Sequence, residues 1–253
     1  MMMPAQRPIE GSFERTLKVT GAVDLEVSIS SGAIKIQPGA GDSVRITAHL
    51  TSYVSWPVTD ATIEARIRQI EKTPPVEQDG NTVGIGRFAD PNLSRHISIS
   101  YDVTVPADTK VTARTESASV AVGAVKGSVS VNSASGSIQV DGAASLEAHA
   151  SSGAITARAI AGRVSARSEA GSIVVEGRPA GPWSIDAASG SVTVTIPADA
   201  AFDLEARSSV GSVSSAHPVT MAGGIERNRL SGKVRAGGPL VKISTAAGSI
   251  QIR

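Results

Sequence analysis

The six residues SGSIQV at positions 135–140 return along the chain in near copies: SGAIKI from Ser31, AGSIVV from Ala170, SGSVTV from Ser189 and AGSIQI from Ala247. A motif that recurs at a near-constant interval constrains architecture more than any single segment, because each copy must be one unit that buries its apolar face against its neighbours. With the glycine as anchor, the copies fall at Gly32, Ala118 (in place of glycine), Gly136, Gly153, Gly171, Gly190, Gly211, Gly232 and Gly248. From Ala118 onward the steps are 18, 17, 18, 19, 21, 21 and 16 residues.

Around each anchor the apolar positions are spaced alike. Seven residues before it stand Leu25, Val111, Val129, Leu146, Val164, Trp183, Leu204, Ile225 and Val241. Two residues after it every position is Ile or Val, from Ile34 to Ile250. The position five before is Val, Ala or Ile except at Arg227. Apolar residues at −7, −5, +2 and +4 with polar ones between them are the period-2 pattern of two short strands that share one interior. The Ser-Gly pair between them marks a bend, where glycine permits a conformation or a close approach that a Cβ would obstruct.

A unit of this length is too short for a helical-hairpin repeat and suits one turn of a parallel β-solenoid. The expectation is an all-β, right-handed β-helix-like solenoid of about nine short turns, roughly 40 Å long at about 4.8 Å per turn. An antiparallel sandwich would place Asn-Gly or Asp-Gly signals between most strands, and only Asp79-Gly80 and Asp141-Gly142 fit. The interval between Gly32 and Ala118 is about four repeats long and reads as an insertion. Asp60 can cap a helix over ATIEARIRQIEK, with Ile63, Ile67 and Ile70 on one face and Pro74-Pro75 ending it. VEQDGNTVGIG reads as a hairpin and ISISYDVTVP as a strand leading back to the repeats, with loop from Arg87 to Arg95 between them. The expected organisation is a disordered segment over 1–12 and one solenoid domain over 13–253, with its insertion at about 51–100.

The stretch FERTLKVTGAVDLEVSISSGAIKIQPGAGDSVRITA, the segment IEARIRQIEKTPPVEQDGNTVGI and the run of SGSI/SGSV turns resemble the bacterial putative-adhesin, or toastrack-like, family of β-strand repeats. The resemblance covers nearly the whole chain. It implies a right-handed β-helix-like stack used in cell-envelope proteins as an adhesion or stress-sensing module, a domain of unknown function without known catalysis. Because its motif is structural, the resemblance carries no binding or catalytic residue onto this sequence.

Charge and residue usage narrow the function classes. Lys+Arg 24 against Asp+Glu 23 leaves a net charge of +1, far from the strong positive field of a dedicated nucleic-acid binder. With no cysteine there is no thiolate nucleophile, disulfide framework or Cys-ligated metal. His49, His96, His149 and His217 are far apart, outside any metal-binding spacing, and read as surface histidines. No catalytic residue, cofactor or metal is expected. The start MMMPAQRPIEGSFERTLKV has no apolar core behind a basic segment, and no run of about 18 apolar residues occurs, so the expected location is cytoplasmic, or the cell surface if the start codon is misassigned.

Two weak sites emerge. Glu205 and Glu226 would occupy the same outward column on successive turns, as a carboxylate pair of the kind a polysaccharide-cleaving enzyme uses. In the irregular eighth turn, GIERNRLSGKVRAGG, Arg227, Arg229, Lys233 and Arg235 form either an anion-binding patch or a bulge that turns the arginines to solvent. The resulting expectation is a non-enzymatic binding or structural scaffold facing a protein or glycan surface. Its final repeat, VKISTAAGSIQIR, would lie at an open end of the rod and offer an edge for homo-oligomer contact. The alternatives are an intracellular or membrane-associated sensing module acting through a protein partner, and a polysaccharide-active β-helix enzyme.

Overall fold

The structure is a computed structural model and describes residues 8–52, 60–221 and 227–253. The chain opens with β1 (Ile9–Lys18), β2 (Val23–Gly39) and β3 (Ser43–Ser52), followed by α1 (Asp60–Lys72), β4 (Val76–Asp79), β5 (Thr82–Ile85) and β6 (Ser98–Pro106). β7 (Thr109–Val122) begins the regular run, which continues as β8 (Ser128–Ser135) and β9 (Ile138–Ala143), β10 (Ser145–Ser152) and β11 (Ile155–Ile160), and β12 (Val164–Ala170) and β13 (Ile173–Glu176). Next come β14 (Trp183–Ser189) and β15 (Val192–Thr195), then β16 (Phe202–Val210) and β17 (Val213–Ser215). β18 (Val219–Met221), β19 (Arg229–Val234), β20 (Leu240–Ala247) and β21 (Ile250–Ile252) complete it.

The described strands form one largely parallel, solenoid-like sheet. Each turn has a first arm before the anchor and a second arm after it; β2 and β7 run through the anchor unbroken, whereas later turns divide into two strands. The inward columns are as the periodicity predicts. Val129, Val131, Leu146, Ala148, Val164, Ala166, Trp183 and Ile185 on the first arms, and Ile138, Ile155, Ile173 and Val192 on the second, are all buried. At roughly 25 cal/mol per Å² of apolar surface, this two-armed ladder supplies the main drive for folding. Within it, the Trp183 indole N–H and the Tyr101 hydroxyl find no hydrogen-bond partner among the described residues, and burial pushes the Tyr101 phenol well above its ordinary pKa.

A third inward column, three residues before the anchor, is polar in five of its eight members. Thr115, Ser133, Ser168, Ser208 and Thr245 are buried. Their hydroxyls satisfy the bend: Ser168 donates to the carbonyl of Gly153 (3.2 Å), Ser208 to that of Gly248 (2.8 Å) and Thr245 to that of Gly190 (3.2 Å). Each of those carbonyls belongs to the anchor of the adjacent turn. Glycine is required there because a Cβ at Gly153 would overlap the carbonyl oxygen of Gly136, and one at Gly248 that of Gly190. Both anchors also have positive φ, 154° and 151°. Ala118 is tolerated because its φ is not positive, unlike that of Gly32 in the equally unbroken β2.

Register sets the order of the stack, and here the structure departs from expectation twice. On the first arms the parallel order is β2, β7, β8, β10, β12, β14, β20, β16. The strands nearest the C-terminal end are therefore not an open edge: β20 pairs with both β14 and β16, and β21 with both β15 and β17. With both edges hydrogen-bonded, this repeat cannot serve the end-to-end association expected of it. Secondly, the repeat at Gly232 is not a parallel turn. β19 lies antiparallel to β16 and to β18. It follows β18 after only residues 222–228, too few to circle both arms and return in parallel. Eight of the nine anchors thus stack in parallel.

The connectors around the displaced turn are tied together. Arg235, at φ 56°, donates from Nε and Nη2 to the carbonyl of Ala198 (3.0 and 2.9 Å), joining the segment that leads into β20 to the one that leads into β16. Arg178 donates to both carboxylate oxygens of Asp199 (2.7 and 2.6 Å) and holds that carboxyl below its ordinary pKa.

The insertion closes the opposite end. The β4–β5 hairpin lays β5 along the first half of β2, and β6 runs parallel to its second half. β3 and β1 follow in antiparallel order. Residues 9–12, expected in a disordered segment, are the first part of β1 and pair with Ser52, Thr51, Leu50 and His49. α1 packs on β1 through buried Ile63, Ile67 and Ile70, and the Glu71 carboxylate accepts the Ser12 backbone N–H at 2.9 Å.

Candidate binding face

The two arms present different outer faces. On the second arms, charge pairs off along the stack: Arg158 reaches Asp141 at 3.3 Å and Glu176 at 3.4 Å. Beside this ladder Ser137 donates to Ser119 (3.3 Å), and Ser212 and Ser249 share a hydrogen bond (3.4 Å). Among the described residues of that face, Lys35 and Arg253 are the cations left without an ion pair, at opposite ends of the stack.

The first-arm face is concave. A groove of about 620 Å³ crosses it from Lys110 on β7 to Leu240 and Lys242 on β20, with Ser128, Ser145, Glu147, Arg163, Ser165 and Ser184 along its course. Lys242 also lines a second groove of about 380 Å³, which contains Glu205, Arg207, Arg229, Ser231 and Ser244. Arg207 and Ser244 in turn border a third, of about 320 Å³, with Arg167, Glu169 and Asp186. The three are contiguous through shared residues, and so form one surface spanning most of the stack.

Its ions are only partly matched. Lys110 pairs with Asp24 (3.1 Å), and Asp186 takes Arg167 (3.9 Å) together with the Ser244 hydroxyl. Arg163, Lys242, Arg207 and Arg229 have no ion-pair partner among the described residues, and neither do Glu147, Glu169 and Glu205. Arg207 and Arg229 stand directly opposite one another on β16 and β19. Both are exposed, and like charges in that position repel.

The sequence-derived basic patch does not assemble as four residues. Arg227 lies exposed in the turn before β19, Arg229 and Lys233 project outward from β19, and Arg235 is committed to the Ala198 carbonyl. On β19 it is Leu230 and Val234 that pack inward, which explains why Arg227 and Arg229 broke the inward pattern of a parallel turn. Of the expected carboxylate pair, only Glu205 is placed. Glu205 has Ser231 on one side and Lys242 on the other, and Glu226 lies outside the described residues. His217, read as a surface histidine, is buried edge-on against Phe202 (centroids 5.5 Å apart), with Nε2 3.2 Å from the Arg253 carbonyl oxygen.

Sequence reasoning missed Arg163, Arg207 and Lys242 as members of a common surface. Each sits in an outward column, but only the stacking order brings Lys242 beside Glu205 and Arg207 beside Arg229. Among the described residues no group of three or more His, Asp or Glu side chains is placed to hold a metal ion, and no helix is long and apolar enough to cross a membrane.

The chain is similar to the structure of a putative adhesin from Bacteroides fragilis NCTC 9343, with 15% identity, TM-score 0.46, and coverage of 96% of this chain and 97% of that one. It is also similar to a putative cell adhesion protein from Clostridium sporogenes ATCC 15579, with 12% identity, TM-score 0.37, and coverage of 97% and 99%. A putative adhesin from Parabacteroides distasonis ATCC 8503 follows at 9% identity, TM-score 0.35, and coverage of 95% and 97%. No curated protein matches. The family model described as Toastrack DUF4097 matches residues 16–253, and the chain belongs to that family.

Proposed function

We propose that this chain is a non-enzymatic, adhesin-like scaffold that acts at the cell envelope and engages a surface partner through the first-arm face. The observation that carries this reading is the contrast between the two faces. On the second arms Arg158 is shared between Asp141 and Glu176, and Lys35 and Arg253 are the only cations without an ion pair among the described residues, whereas the first-arm face gathers four cations and three carboxylates without ion-pair partners along contiguous grooves. A stacked sheet holds such a surface rigidly, since Lys242, Arg207, Arg229, Glu147 and Glu205 project from strands bonded on both edges and Arg163 directly precedes one, so little ordering is lost on binding. That Glu205 has Ser231 and Lys242 as its register neighbours supports a binding surface over a glycan-cleaving one.

The test compares blocked faces. Purified protein carrying Ser145→Trp in the groove should bind cell-envelope preparations of the source organism at least tenfold more weakly than wild type. Ser172→Trp on the second-arm face should change binding less than twofold. Equal loss from both substitutions, or no binding by wild type, overturns the assignment of function to this face.

A further inference from the structure

The Arg207–Arg229 pair poses a problem that the fold alone does not solve. Antiparallel pairing sets the two guanidinium side chains opposite each other on one face, where repulsion disfavours the folded state. Neither has a carboxylate partner among the described residues, although Glu205 is two residues from Arg207 on the same strand and lines the same groove. Lys242 adds a third cation, one strand away from Glu205. Two guanidiniums side by side present parallel N–H donors to a tetrahedral oxyanion, and an anion between them converts the repulsion into two charge-assisted contacts.

The rest of the surface distinguishes among polyanions. Lys242 continues into the larger groove, where Arg163 is the next unpaired cation, so positive charge recurs along the stack. Glu147 and Glu205 interrupt it. A bare polyanion gains at the cations and is repelled at the two carboxylates, whereas a sugar chain supplies hydroxyl donors that those carboxylates accept. An extended peptide gains nothing from the backbone here, because β10, β12, β14 and β20 are each paired on both edges.

We propose that this track binds an anionic glycan bearing sulfate or phosphate esters, with Arg207 and Arg229 clamping one ester group. The inference rests on the reading of the first-arm face as the binding surface. Calorimetric titration of the full chain with chondroitin sulfate should show binding that weakens as salt is raised, because exposed charges are screened over about 10 Å at 0.1 M salt. Neutral dextran should show none. Arg207→Gln combined with Arg229→Gln should weaken binding at least tenfold with the melting temperature unchanged or raised. Arg114→Gln, in the same outward column but outside the track, should change it less than twofold. Inorganic sulfate and phosphate, each added separately, should compete with chondroitin sulfate at millimolar concentration, and whichever ion competes at the lower concentration identifies the ester group the clamp prefers.

Three results would overturn the proposal: no affinity of wild type for the sulfated glycan, an undiminished affinity in the double variant, or equal binding of polyphosphate or single-stranded DNA. If the Ser145→Trp protein loses envelope binding while the double glutamine variant retains it, the anionic-glycan inference fails and the binding-face reading stands.

Discussion

The turns from β8 to β15 and those from β16 to β21 are written in the same sequence pattern but assembled differently. In the first region each turn stacks on the one that precedes it in the chain. In the second, the chain leaves β15, forms β16 and β17 one place too far along, turns back through β18 and β19, and fills the vacant place with β20 and β21. Both regions bury the −7 and −5 columns and bend at the anchor glycines, although Val213 on β17 is only partly buried. The comparison shows that the pattern specifies how a turn is built and leaves open which turn it meets. One consequence falls on the candidate face: without the displaced turn, Lys242 would not lie between the two grooves, and without the antiparallel β19, Arg229 would not face Arg207.

The sharpest way to break this comparison uses the cysteine-free background. Asp186 and Ser244 are register neighbours on β14 and β20, while Asp186 and Arg207 are separated by the intervening strand. Neighbouring strands place Cα atoms about 4.8 Å apart, within disulfide range, and alternate strands about 9.6 Å apart, beyond it. The pair Asp186→Cys with Ser244→Cys should oxidise nearly completely, and Asp186→Cys with Arg207→Cys hardly at all, as read by thiol titration. The reverse pattern would restore sequential stacking.

A smaller effect tests whether the two regions share one bend. Gly153→Ala and Gly248→Ala each set a Cβ against a neighbouring carbonyl at positive φ, and each should cost roughly 2–4 kcal/mol in urea unfolding. Ala118→Gly should cost less than about 1 kcal/mol, the ordinary penalty for glycine in a strand. A harmless Gly248→Ala would mean that the inserted turn bends differently from the central ones. The smallest expected effect concerns the buried hydroxyls. Ser168→Ala in the central region and Ser208→Ala in the displaced one each remove a bond to an anchor carbonyl, and should each cost about 1 kcal/mol in the same assay. A loss at only one of them would show that the bend is satisfied differently in the two regions.

Much of the interior was legible before the structure. Alternation at −7, −5, +2 and +4 named the buried residues of both arms, and Ile63, Ile67 and Ile70 named the buried face of α1. The buried hydroxyl column was not, because Ser168, Ser208 and Thr245 look like surface residues until their carbonyl partners on the adjacent turn are known. The candidate face was less legible. Arg229 was singled out, but its partners Arg207 and Lys242 come from other repeats, and Arg235 proved to be part of a connector.

Connector length could not have revealed the displaced turn, since the segments 177–182 and 196–201 are equally long although only the second skips a place. By itself the sequence determined the repeat unit, its two inward-facing strands, its glycine bend and the helix-bearing insertion, because period and burial are local properties of the chain. Only the tertiary structure decided the order of the turns, the direction of β19 and hence the charges on the first-arm face. The physical reason is degeneracy. Turns with the same alternating pattern offer one another nearly identical hydrogen-bonding edges and apolar ladders, so stacking order is chosen by the connectors and by the closing strands, whose contacts are non-local.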